Sequence, residues 1–156
     1  MSLEFEHHIV AATRDVFGTM LMLEALRGEA IRANSVSFPA NVTGTLGMAG
    51  DVKGIVAIHC PEITALFVTS SLLGVEVQEI NEEVRDAVGE IVNMIAGGIK
   101  AALAAEGIKI SISIPTTITG QSYRVAGFAG AARLIIPFFV GVGDFWVEVR
   151  YEASGG

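Results

Sequence analysis

Residues 82–105 hold one apolar stripe at helical spacing, Val84, Val88, Ile91, Ile95 and Ile99, over roughly four turns. Asn81 suits the N-cap, Glu82 and Glu83 complement the positive end of the helix dipole, and Gly107 supplies the stop. An amphipathic helix of this length needs an apolar surface to cover, and the runs around it alternate with a period of two, as sheet strands do. The same helix contains residues that work against it. Asn93 costs about 0.7 kcal/mol, and Gly97 and Gly98 about 1 kcal/mol each, relative to Ala. Something other than helix formation has to account for them.

Ahead of this helix, residues 4–27 place Val10, Phe17, Met20, Leu21 and Leu26 near helical spacing and run up to Gly28, which predicts a first helix. Alternating stretches at 35–46 and 52–59, joined through Gly47, Met48, Ala49, Gly50 and Asp51, predict a hairpin. Pro61 and Gly74 bracket a short apolar second helix over 61–73. Beyond the long third helix, Ile108, Ile110, Ile112 and Ile114 alternate with Lys109, Ser111 and Ser113, which predicts a strand. A second hairpin spans 133–140 and 145–152, turning at Gly141, Val142, Gly143 and Asp144, and Pro137 assigns its first strand to an edge or a bulge. This order predicts a single α+β domain over 1–156. It has three helices and a largely antiparallel sheet built from two hairpins plus one strand, with the long third helix carrying the candidate site.

Composition narrows the function classes. The chain is 51% hydrophobic, but no unbroken apolar run approaches the roughly 18 residues of a membrane span, and the N-terminus lacks the pattern of a secretory signal. A cytoplasmic location is the default expectation. Ten Lys and Arg residues are scattered along a chain of net charge −7, so no basic stripe is available for nucleic acid or for an anionic membrane surface. Acidity of this size serves solubility and is compatible with approach to a basic patch on another protein. The single cysteine, Cys60, excludes an intrachain disulfide and a cysteine zinc cluster, and reads as a small buried apolar residue.

On a helical wheel with Asp86 at zero, Glu90 falls at about +40°, Asn93 at about −20° and Gly97 at about +20°, opposite the apolar stripe. Met94 flanks the line. A solvated face would pair Glu with Lys or Arg four residues on, whereas position 94 is Met and position 97 is Gly. A bare strip beyond Asn93 lets another backbone come close. Glu90 can salt-bridge a cation, and the Asn93 amide can both donate to and accept from one water molecule. The pair suits water positioning better than acid-base catalysis, because Asn does not titrate.

Other constellations carry less. His7 and His8 are adjacent on a helix and diverge by about 100°, and His59 has no ligand nearby in sequence, so all three read as surface or capping residues rather than metal ligands. Gly141-Val142-Gly143 lacks the third glycine and following helix of a dinucleotide loop, and neither a G-x-S-x-G nor a Walker sequence occurs.

The run Asp86-Ala-Val-Gly-Glu90-Ile-Val-Asn93 resembles the D/S-x-x-x-E-x-x-N signature of the CheC, CheX and FliY phosphatases of bacterial chemotaxis. Met94 through Gly97 and Lys100 is similar to the continuation of that helix. Ser113, Pro115, Ile118 and Gly120 are similar to the strand exit that follows it, and Ala12-Thr13 through Val16, Phe17, Thr19 and Met20 to the first helix of the CheX branch. CheC-type members carry the signature twice. The first helix here offers no Glu-x-x-Asn, which points to CheX with one site.

The resemblance implies hydrolysis of the aspartyl phosphate on a phosphorylated CheY-type response regulator. Glu90 would salt-bridge the regulator's active-site lysine, Asn93 would orient the attacking water, and Asp86, Met94 and Gly97 would face the partner. It implies no cofactor or metal held by the chain itself, with Mg2+ on the regulator, and a homodimer joined through the sheet. Two other readings stay open on the residues alone. One is a non-catalytic module that binds the phosphorylated regulator or a flagellar switch component, and the other is a structural α+β domain with a solvated helix face.

Overall fold

The computed structural model describes residues 5–32, 35–120, 123–126 and 132–153. Its elements run α1 (Phe5–Val16), β1 (Leu26–Arg27), β2 (Ser35–Phe38), β3 (Val42–Gly50), β4 (Val52–Cys60), α2 (Glu62–Leu73), α3 (Glu82–Ala105), β5 (Ile110–Ile112), β6 (Thr116–Thr119), β7 (Tyr123–Ala126), β8 (Ala132–Val140) and β9 (Gly143–Ala153). A seven-stranded antiparallel sheet has the order β1-β8-β9-β4-β3-β5, with β6 also paired to β3, and β2 and β7 form a separate two-stranded sheet. The α+β class, the three helices and the antiparallel sheet agree with the expectation from sequence.

The helices cover one face of the large sheet. Val42, Leu46, Val56, Ile58, Leu134, Ile136, Val147 and Val149 alternate along the strands onto that face and join Phe5, Ile9, Val88, Ile91, Ile95 and Ile99 in one buried cluster. The apolar stripe of α3 is therefore spent on the sheet and on α1. By length and hydropathy α3 is also long and apolar enough to cross a membrane, but half of that window is buried inside the fold, as in a core helix. Asn81 caps it by accepting from the Val84 N–H at 3.1 Å, and Gly107 follows its end at φ +82°.

Several boundaries move. The first helix stops at Val16, and a π-helical turn over Phe17–Leu21 ends at Met22 in the left-handed region (φ 58°), so the break comes six residues before Gly28. Leu26 is not helical but pairs with Phe139 at the sheet edge. The predicted strand over 35–46 is two strands in different sheets, separated at Pro39, which has no N–H to give a ladder. Only Ile110–Ile112 of the alternating run 108–114 is strand. Ile114, with no apolar face left to cover, is 86% exposed. The hairpins are Val42–Gly50 with Val52–Cys60 and Ala132–Val140 with Gly143–Ala153. Pro137 does not put its strand at an edge or a bulge: β8 lies between β1 and β9 in unbroken register with β9, and Pro137 is accommodated because its carbonyl accepts from the Gly28 N–H at 2.7 Å, so its missing donor lies on the β1 side and costs no bond to β9.

Candidate functional site

Helical period sets the geometry of the candidate site. In α3 the positions opposite the buried stripe come to the surface: Asp86 and Glu90 are exposed, and Asn93 and Gly97 are half-buried. Four of the five residues expected at the site thus lie on one line, and Met94 flanks it, half-buried and packed against the core. A Cβ built at Gly97 meets nothing within 4 Å, so no packing inside the fold requires glycine there. At a helix interior position Ala would be about 1 kcal/mol better, so the bare backbone brings the helix itself no stability.

Two neighbours border this face. On one side the Pro115–Thr117 segment lies against the helix one turn before Asn93: a Cβ at Gly89 would stand 3.5 Å from Thr117 Cγ2 and 3.8 Å from Pro115, ordinary van der Waals contact. On the other side a Cβ at Gly98 would meet Ala12 Cβ at 3.0 Å, which brings α1 close. Gly98 is thus a packing glycine, unlike its neighbour Gly97. Neither flank was among the expected site residues. The Pro115 segment was visible as sequence, but not its place beside Gly89.

The charges on this face have no partner within the helix. Glu90 is followed at i+3 and i+4 by Asn93 and Met94, while off the line Arg85 reaches Glu82 at 3.5 Å. Among the described residues Asp86, Glu90 and Asn93 make no side-chain hydrogen bond or ion pair. A carboxylate and a carboxamide one turn apart, both facing outward, can engage a cation and a water molecule on another molecule. Among the described residues no group of three or more His, Cys, Asp or Glu side chains is placed to hold a metal ion.

Two histidines differ from expectation. His59 is buried on the sheet face away from the helices. Its Nε2 donates to Glu148 Oε1 at 2.8 Å, and its Nδ1 shares a 2.8 Å bond with the Thr43 hydroxyl. Arg133 Nε and Arg150 Nε donate to Glu148 Oε2 at 2.6 and 2.7 Å. His8 is buried too, 2.9 Å from Glu106, and only His7 is exposed. Burial alone would push the Glu148 carboxyl up, but the bonds and charges of His59 and Arg150 outweigh it and hold the group down at about 2. Cys60 is fully buried as expected, and burial pushes its thiol up to about 12.

The sequence profile described as Chemotaxis phosphatase CheX matches residues 42–139. The chain is 28% identical over 143 residues to the CheY-P phosphatase CheX of Thermotoga maritima, covering 91% of this chain and 89% of that one. Among solved structures it resembles the chemotaxis protein CheX of Vibrio vulnificus, at 30% identity and a TM-score of 0.90, covering 96% of this chain and 100% of that one. It also resembles the CheX of a CheX-CheY-BeF3-Mg2+ complex from Borrelia burgdorferi, at 26% identity and a TM-score of 0.82, covering 97% and 99% of the two chains.

Proposed function

The chain belongs to the chemotaxis phosphatase CheX family, and from that premise we propose that it hydrolyses the aspartyl phosphate of a CheY-type response regulator and so ends the chemotaxis signal. The observation that carries this reading is the outward line of Asp86, Glu90, Asn93 and the bare Gly97 on α3, whose charges have no use inside the fold. A receiver domain is the partner such a face fits, and the CheX relative from B. burgdorferi is found in complex with CheY, BeF3 and Mg2+.

In this reading Glu90 pairs with the regulator's active-site lysine and fixes the orientation of the two proteins. Asn93 enters the phosphorylation site and holds a water molecule in line with phosphorus, one amide group accepting from it and donating to it. Mg2+ belongs to the regulator, where it neutralises phosphoryl charge, and this chain brings no cofactor of its own. Its contribution is positioning. Met94 and Gly97 form the surface of closest approach, and Asp86 extends the acidic end of the line. A substrate of this kind is met in the cytoplasm.

The test is the decay of a phosphorylated CheY-type receiver with and without the chain. Faster decay supports the phosphatase. Binding with no acceleration supports a capture module instead, and neither binding nor acceleration removes the function altogether. Glu90→Ala is expected to weaken capture by about 2–5 kcal/mol, since truncating one partner of a desolvated charge pair leaves the other unpaired. Its circular dichroism is expected to match wild type, because Glu90 is exposed. Unchanged affinity together with unchanged turnover would take Glu90 out of the site.

The homodimer remains part of the proposal. Leu26 and Phe139, paired in register where β1 forms the sheet edge, are both large, apolar and exposed, whereas further along the same side β8 is bonded by Gly28 and Ile31. Light scattering at micromolar concentration is expected to give twice the mass of the single chain, and a monomer would count against it.

A further inference from the structure

The site line does not end at Gly97. Asp86, Glu90, Asn93, Gly97 and Lys100 follow one another at spacings of 4, 3, 4 and 3, so all five stay on one face of α3. Lys100 falls at about −40° on the wheel that places Asn93 at about −20°. It is exposed, and among the described residues its side chain has no hydrogen bond or ion pair. The helix itself provides none: the positions three and four residues away are Ala96, Gly97, Leu103 and Ala104. Arg14, Lys53 and Lys109 are likewise exposed and without an ion pair among the described residues, so what distinguishes Lys100 is its place on the site line.

The geometry points to Lys100 as a second electrostatic anchor for the phosphorylated receiver, pairing with a carboxylate on the receiver surface. This rests on the proposed function and deepens it. Lys100 lies ten residues beyond Glu90, about 15 Å along the helix axis at about 1.5 Å per residue. The face therefore presents an acidic end, a neutral middle of Asn93 and Gly97, and a cationic end. The matching receiver surface carries its active-site lysine against Glu90 and an Asp or Glu at that same separation, with the element between them resting on the bare Gly97. Two opposite charges at the ends of one line admit one docking direction and oppose the reverse. That direction delivers Asn93 to the phosphoryl group. An exposed anchor of this kind acts mainly on encounter and orientation, so it sets association rate and its salt dependence rather than chemistry.

The experiment compares Lys100→Glu with Lys109→Glu. Both substitutions change the net charge equally, and Lys109 is exposed but off α3. The probe is a CheY-type receiver loaded with BeF3 and Mg2+, and association is followed by stopped flow between about 0.05 and about 0.5 M salt. Lys100→Glu is expected to slow association about five- to tenfold at low salt and to flatten its salt dependence, with turnover at saturation unchanged. Lys109→Glu is expected to change association less than about twofold. Equal effects of the two variants would mean that only total charge matters and would overturn the anchor, as would wild-type association by Lys100→Glu. Asn93→Ala, run in parallel, separates the two levels. If it keeps wild-type turnover, the proposed function falls. If it loses turnover while Lys100→Glu behaves as wild type, only the anchor falls.

Discussion

Asn93→Ala is expected to lose about a hundredfold in turnover while still binding the receiver loaded with BeF3 and Mg2+ as tightly as wild type. The side chain sits half-buried on the outward face of α3 and makes no hydrogen bond among the described residues, so its removal leaves no group of the fold unpaired. Ala is also the better helix former there, by about 0.7 kcal/mol, and the variant should be slightly more stable than wild type. Lost activity could then not be assigned to unfolding. A group that acts mainly on the attacking water contributes in the transition state, so kcat falls and KM does not rise. Single-turnover dephosphorylation at saturating variant, with affinity measured alongside, separates the outcomes. Wild-type turnover would sink the mechanism, and abolished binding would move Asn93 from catalysis to recognition.

The line itself was readable because a helix has a fixed period. Once Asn81, the acidic first turn and Gly107 define α3, the positions of Glu90, Asn93 and Gly97 relative to the apolar stripe follow from about 100° per residue, and the structure places them accordingly. What borders them was not readable. Pro115 and Thr117 reach Gly89 because β6 pairs with β3, some 70 residues earlier in the chain, and nothing local in Thr116–Thr119 announces that partner. Gly97 and Gly98 look alike in sequence. Only the helix packing shows that one faces open space and the other Ala12.

The strand errors share a cause. Long strands with two ladder partners, such as Val52–Cys60 and Gly143–Ala153, alternate over enough residues for the pattern to stand out. Leu26–Arg27 and Thr116–Thr119 are short edge strands, held by what they meet and not by their own sequence. At 108–114 the alternation is real but outruns the pairing, which stops after Ile112 apart from the Ser113 N–H to Gly47 carbonyl bond of 3.0 Å. The burial of His59 was missed for a related reason: its carboxylate partner is 89 residues away, and only strand register brings the two together.

Glu148 is where the largest stability effect is expected. It is 0% exposed and accepts from His59, Arg133 and Arg150 on the sheet face away from the helices. Truncation to Ala would leave the buried Arg133 and the part-buried Arg150 without their shared carboxylate, and breaking a buried pair by removing one partner costs about 3–5 kcal/mol. That is a large share of the stability of a chain this size. Glu148→Gln keeps the shape and one acceptor but not the charge, and is expected to fold with a lower urea midpoint at pH 7. The pH dependence has a definite sign. The folded carboxyl titrates at about 2 against an ordinary value of 4.5, so its contribution is full above 4.5 and is lost as pH falls toward 2. At about 1.4 kcal/mol per tenfold change in proton affinity, that gap corresponds to about 3 kcal/mol. Urea midpoints followed by circular dichroism from pH 7 to pH 2.5 are therefore expected to fall steeply below pH 4.5 in wild type and more gently in Glu148→Gln. Parallel curves would show that the network does not couple protonation to folding, and an unchanged midpoint for Glu148→Ala at pH 7 would show that the buried charges are satisfied without it.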